Sequence, residues 1–271
     1  MAKVETESND DFLGDVRSLA IEAGVAILKF YNSVNLPIVR KQDNSPVTKA
    51  DLAAHNIIFQ GLRKLDANIP VISEEMPLGN IKLDKCPKFW LVDPLDGTKE
   101  FIRGSTEFTV NIALIENDEP ILGVVYAPIA DVSYYALKGL GSFKLKKNAT
   151  PQRLSVEKNC AAKWRIVASR SHKDGYLKQF LERIGSHTLS NVGSSLKLCL
   201  VAEGKADVYP RFAPTSLWDT AAGQCILEEA GGRVIQLTGE KLSYKSASNL
   251  INPSFLASSQ SFLNFYNNLD A

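Results

Sequence analysis

Apolar residues recur at helical spacing from Phe12 through Val16, Leu19, Ala20, Ala23 and Ile27 to Phe30, which predicts a long amphipathic helix over 12–31. After a polar loop at 41–46, a second helix is predicted over 48–65, with Leu52, Ile57, Ile58, Leu62 and Leu65 on its apolar face. The rhythm then shortens. Residues 69–73 predict a strand that runs into Glu74-Glu75, and 88–92 a strand that ends at Asp93. Runs at 108–115, 121–127, 132–136 and 139–147 predict successive antiparallel strands, with Asn117-Asp118-Glu119-Pro120 turning between the first two. A further short strand is expected at 154–156.

The second half alternates. Strands are predicted at 165–168, 188–192, 206–210 and 233–237, and helices at 175–184, 196–203 and 216–230, the last two stopped by Gly204 and Gly231-Gly232. An antiparallel first half followed by an alternating second half implies an α+β protein in layers, with halves 1–148 and 149–271.

Composition narrows the class. The 271 residues are 45% hydrophobic and 23% charged, ordinary for a globular chain and unlike a disordered one. A net charge of +1 gives no reason to expect a nucleic-acid polymer as partner. No apolar run approaches the ~20 residues that span a bilayer, and residues 1–11 have no signal-peptide core. Cys86, Cys160, Cys199 and Cys225 are scattered singly, as reduced thiols of a cytosolic protein would be. His55, His172 and His187 are dispersed, so any metal is expected to be held by oxygen.

Three acidic spots end apolar segments: Glu74-Glu75, Asp93 with Asp96, and Asp219 in Leu217-Trp218-Asp219-Thr220-Ala221-Ala222-Gly223. Glu74-Glu75 alone reads as a solvated turn and Asp219 alone as a helix cap. Asp93 and Asp96 resist so plain an account. Like charges that close raise one another's pKa unless a cation intervenes. Together Glu74, Asp93, Asp96 and Asp219 carry enough charge for two divalent ions, with the Leu95 carbonyl as a further ligand, and carboxylates suit Mg²⁺. Thr98 is placed to hold a water, and Gly97 permits close backbone approach to phosphate. Gly193-Ser194-Ser195-Leu196-Lys197 reads either as a helix start or as a substrate-side anion site. Ser169-Arg170-Ser171-His172 and Arg211 are further candidates.

These motifs, in this order, resemble the inositol monophosphatase superfamily of Mg²⁺-dependent phosphatases: Glu74-Glu75, Asp93-Pro94-Leu95-Asp96-Gly97-Thr98, and Trp218-Asp219-Thr220-Ala221-Ala222-Gly223. Lys99-Glu100-Phe101, Gly193-Ser194-Ser195-Leu196-Lys197 and Ala168-Ser169-Arg170-Ser171-His172 are similar to its 3′(2′),5′-bisphosphate nucleotidase branch. The resemblance implies a five-layer α-β-α-β-α sandwich. It also implies that Glu74, Asp93 and the Leu95 carbonyl hold one Mg²⁺ while Asp93, Asp96 and Asp219 hold a second, with Glu74 reaching a third through water.

Asp51, in Val47-Thr48-Lys49-Ala50-Asp51, would polarise Thr98, which orients the attacking water; otherwise Asp51 reads only as a first-turn helix acid. Gly97, His172, Ser194, Ser195 and Lys197 would line the substrate beside Glu74, Leu95, Asp96, Thr98 and Asp219. The implied reaction is hydrolysis of adenosine 3′,5′-bisphosphate to AMP and phosphate, by a cytoplasmic monomer or homodimer, free or peripheral on the inner membrane. The rivals are an inositol-phosphate or sugar-bisphosphate phosphatase and, in another class, a regulatory protein that kept a metal–phosphate pocket.

Overall fold

A computed structural model describes residues 2–31, 38–40, 46–76, 85–156, 163–170, 175–245 and 250–269. Helix α1 (Ala2–Leu28) and a two-stranded ribbon, β1 (Ile38–Arg40) with β2 (Pro46–Thr48), precede α2 (Lys49–Leu65). Next come β3 (Val71–Ser73), β4 (Lys88–Asp96), the short α3 (Thr98–Ile102), β5 (Thr109–Glu116), β6 (Glu119–Ala127), β7 (Val132–Leu137), β8 (Gly141–Lys146) and β9 (Gln152–Arg153). Strands β3 to β9 lie in chain order in one seven-stranded sheet, antiparallel except for β3 beside β4. After residue 147 the sheet is closed by β9, not by the strand expected at 154–156.

The remaining elements are β10 (Trp164–Ser169), α4 (Gly175–Ile184), β11 (His187–Val192), α5 (Leu196–Ala202), β12 (Val208–Arg211), β13 (Thr215–Ser216), α6 (Leu217–Glu229), β14 (Arg233–Gln236), β15 (Ile251–Asn252), β16 (Phe255–Ser258) and α7 (Gln260–Asn267). A second sheet has the order β11-β10-β12-β16-β14, and β13 pairs with β15. The sequence pattern missed α3, the small pairs β1–β2 and β13–β15, and β16 with α7. The missed strands run only two to four residues, too short for periodicity to register.

Period-two alternation sorts the first sheet's side chains into two faces. Trp90, Val92, Val110 and Ile112 pack with α1 and α2. Phe89, Leu91, Ala113 and Ile115 point the other way, onto α5 and α6, and share one core with Val167, Tyr209 and Phe255 of the second sheet. Beyond that sheet, Trp164, Ile166 and Leu256 pack with Phe180 of α4 and Phe262 of α7. The layers are therefore α-β-α-β-α. Helix α6 is buried from Leu217 to Leu227 apart from Asp219, which is what a helix covered by sheets on both sides requires. Gly123 allows it to lie so close to β6, because a Cβ there would strike the Ala222 carbonyl.

Candidate active site

β4 does not stop at Asp93, as its sequence suggested, but continues to Asp96. The chain's own chemistry explains the difference. Pro94 has no N–H to give to the neighbouring strand, so the ladder with β5 shifts register between Asp93 and Asp96. Asp93 Oδ1 accepts the Leu95 N–H (3.1 Å), closing the irregularity from within. Asp93 thus stays on the Phe89–Leu91 face, opposite Asn111, while Asp96 is turned to stand opposite Thr109. Gly97 follows at φ +90°, a left-handed conformation that a side chain would strain, and starts α3 at Thr98.

Asp219 arrives from the other sheet's side as the third residue of α6. It is held by the Ser216 N–H (2.9 Å) and the Thr215 hydroxyl, both on Oδ2. Carboxylate oxygens of Asp93, Asp96 and Asp219 lie within 4.8 Å of one another. At that spacing each pair of ionised carboxylates repels by about 3 kcal/mol at an effective dielectric of ~20. Burial raises all three pKa values, and the neighbouring charges raise them further: Asp93 well above the usual range, first by burial and then by Glu74. Asp219 is pushed up to about 7, by burial and then Asp96. Asp96 is raised by burial against the opposing pull of Lys197. Three converging hard-oxygen donors, costly without a counter-ion, fit a divalent cation.

Glu74 comes from the parallel pairing of β3 with β4, its N–H donating to Val92 O (3.1 Å), and its charge acts on Asp93, Asp96, Asp219 and Asp51. Asp51 is the third residue of α2. Its Oδ2 takes the Thr48 N–H (2.8 Å) and hydroxyl (2.6 Å), and its Oδ1 takes the Thr98 hydroxyl (3.2 Å). That hydroxyl also lies 3.2 Å from the Leu95 carbonyl. Burial raises the Asp51 pKa, against the Thr48 hydrogen bonds that lower it.

A cavity of about 180 Å³ opens beside the acids, lined in part by Asp96, Gly97, Ser194, Ser195, Lys197 and Asp219. Lys197 is buried, its Nζ donating to the Ser194 (2.5 Å) and Val192 (3.3 Å) carbonyls and lying 5.0 Å from the Tyr209 ring centre. Burial lowers its pKa to about 8, opposed by Asp96. Arg211 lines the same cavity. Ser195 gives its N–H to Asp96 Oδ2 (2.5 Å). Gly193 is held by Glu107 Oε2 (2.8 Å), which also takes Arg170 (2.8 Å). His172 lies outside the described residues.

Sequence reasoning missed Thr109 and Asn111. A signal was present: both are polar residues at alternate positions on the inward face of an otherwise apolar strand, and both are buried. Thr215, a ligand-side partner of Asp219, carried no comparable mark.

Residues 10–263 match the profile of the inositol monophosphatase family. The 3′(2′),5′-bisphosphate nucleotidase CysQ of Escherichia coli K12 is 48% identical over 91% of this chain and 99% of its own length. The Haemophilus influenzae protein of the same description is 34% identical over 94% and 95%. Among solved structures, CysQ from Bacteroides thetaiotaomicron, a bacterial member of the inositol monophosphatase family, superposes with a TM-score of 0.80 at 38% identity, covering 92% of this chain and 97% of that one. The Thermotoga maritima IMPase gives 0.79 at 26% identity, over 96% and 98%. The five layers, the clustered acids and these likenesses agree: the chain belongs to the inositol monophosphatase family.

Proposed function

We propose that the chain is a Mg²⁺-dependent 3′(2′),5′-bisphosphate nucleotidase that hydrolyses adenosine 3′,5′-bisphosphate to AMP and phosphate. The observation that carries this reading is the convergence of Asp93, Asp96 and Asp219 beside the Asp51–Thr98 pair, on a cavity that also presents Lys197 and Arg211. The likeness to the CysQ nucleotidases over nearly the whole chain supports the substrate class.

Glu74, Asp93 and the Leu95 carbonyl would hold one Mg²⁺, and Asp93, Asp96 and Asp219 a second, with Glu74 directed to a third. When bound, such ions neutralise phosphate charge and acidify water. The chain's own part is positioning. Asp51 accepts the Thr98 proton, which leaves a Thr98 lone pair to orient a water toward phosphorus. The new bond forms from that water oxygen, the bond from phosphorus to the ribose 3′ oxygen breaks, and in net one proton of the water passes to the leaving oxygen while the other stays with the phosphate. Lys197 supplies buried positive charge on the phosphate side, and Ser194, Ser195 and Gly97 the cavity wall; the expected nucleotide contact of His172 falls outside the described residues. The described cysteines, Cys86, Cys199 and Cys225, are free thiols, which suits a cytoplasmic enzyme.

Phosphate release from adenosine 3′,5′-bisphosphate and from inositol 1-phosphate, each with and without Mg²⁺, tests the proposal. Preference for the nucleotide supports it; preference for the inositol ester overturns the substrate class. No Mg²⁺-dependent turnover on either would favour a binding protein.

A further inference from the structure

We propose that Asn111 is a positioning residue that sets Asp96 for its cation and ties it to the Gly193–Ser195 loop, so that cation binding and substrate binding are coupled. The proposal rests on the metal-dependent phosphatase reading but not on nucleotide preference.

Asn111 is 1% exposed, Thr109 is fully buried and Ser195 is 4% exposed. Asn111 Nδ2 donates to Asp96 Oδ2 (3.3 Å), and its Oδ1 accepts the Ser195 hydroxyl (2.8 Å). The Ser195 oxygen lies 2.9 Å from Thr109 Oγ1. The direction of the chain follows from its end. An ionised carboxylate only accepts, so the amide nitrogen must face Asp96 and the amide oxygen Ser195. Ser195 then spends its one proton on Asn111, so Thr109 is the donor to Ser195. Every proton in the series Thr109, Ser195, Asn111 points toward Asp96.

The Ser195 N–H, at 2.5 Å, falls on the same Oδ2 as the Asn111 amide. Both donors bind one oxygen, which fixes the carboxylate's rotation and leaves Oδ1 outside these bonds. An amide is the side chain suited to this task. Aspartate would add a further negative charge beside Glu74, Asp93, Asp96 and Asp219, and leucine would neither donate nor accept.

The network also crosses between layers. Asn111 and Thr109 sit on β5 of the first sheet, whereas Ser195 precedes α5 and borders the cavity beside Ser194 and Lys197. A phosphate settling against residues 193–197 and a cation settling on Asp96 therefore act on one hydrogen-bonded unit. Each ordering it lowers the cost for the other, and by linkage the effect is reciprocal.

The test is Mn²⁺ binding to the metal-free protein by calorimetry, with and without inorganic phosphate. Phosphate is a product of any phosphatase of this family, so the outcome does not depend on which ester is cleaved; the wild-type substrate panel addresses that separately. Asn111→Leu is expected to weaken Mn²⁺ binding about tenfold to 100-fold. It should also reduce the phosphate-induced tightening of Mn²⁺, about fivefold or more in the wild type, to less than about twofold. Thr109→Val, one bond further from Asp96, should weaken Mn²⁺ by at most about threefold. Should Asn111→Leu not fold, Asn111→Ser carries the same expectation. Mn²⁺ affinity and coupling unchanged in a folded Asn111 variant, with only Tm lowered, would overturn the proposal by reducing Asn111 to a packing residue.

Discussion

Asp51 and Asp219 begin alike and end differently. Each is the third residue of a helix and folds back on a capping residue, Thr48 for Asp51 and Ser216 for Asp219, in a reciprocal capping box. In each the cap binds Oδ2, through the Thr48 N–H and hydroxyl on one side and the Ser216 N–H and Thr215 hydroxyl on the other. Burial raises both pKa values. The difference is what stands opposite. Asp51 Oδ1 meets the Thr98 hydroxyl, whereas Asp219 meets two further carboxylates. A capping box thus turns an acid into a fixed fork. The neighbour of the second tine sets them apart: a hydroxyl for Asp51, carboxylates for Asp219.

The sharpest way to break the cation-holding member is at its centre. Asp93→Asn should lower turnover on the order of 10³-fold with the fold intact. It should raise Tm in chelator, because one of several buried, mutually repelling charges is gone. Surviving turnover would remove Asp93 from the metal site.

The two caps should then part under the same substitution. Asp219→Asn should weaken Mg²⁺ activation about tenfold or more. Asp51→Asn should leave the Mg²⁺ requirement in place but lower kcat about 10²-fold. Mg²⁺ titrations of both variants read the contrast, and identical shifts would collapse it. Thr98→Ala, one bond beyond Asp51, should lower kcat by a smaller factor while raising KM less; the reverse pattern would make Thr98 a binding residue.

pH sharpens the comparison further. With Asp219 raised to about 7, the metal-free fold is stabilised by its proton below the ordinary carboxylate range and loses that contribution as pH rises through about 7. A cation needs the ionised form, so the Tm increment from Mg²⁺ should be larger at pH above 7 than below it. An increment independent of pH between those limits would place the cation elsewhere. The smallest effect is expected at the Asp51 cap: Thr48→Ala should cost about 1 kcal/mol in denaturant unfolding, with Mg²⁺ dependence unchanged.

Much of this was legible because local chemistry carried it. The helix starting at Thr48, the apolar run into Asp93, and the helix around Asp219 stopped by Gly231-Gly232 follow from periodicity and capping within a few residues. The motif order Glu74, Asp93–Thr98, Asp219 marks the candidate ligands, and three of them, Asp93, Asp96 and Asp219, converge in the fold. Other features depend on distant pairing. Asp96 faces Thr109 only because Pro94 breaks the ladder with β5, and Asn111 reaches Asp96 only through that shifted register.

The sequence by itself determined which side chains carry charge, where α2, α4, α5 and α6 begin and which strand faces are apolar. Those are properties of neighbours along the chain. The tertiary structure alone decided that Asp219, some 120 residues beyond Asp96, shares its cluster. It also decided that Asp51 meets Thr98, and that Ser195 spends its N–H on Asp96. The reason is physical: α2 packs on one face of the first sheet and α5 and α6 on the other, which brings these polar ends together, and no local propensity encodes what waits across those interfaces.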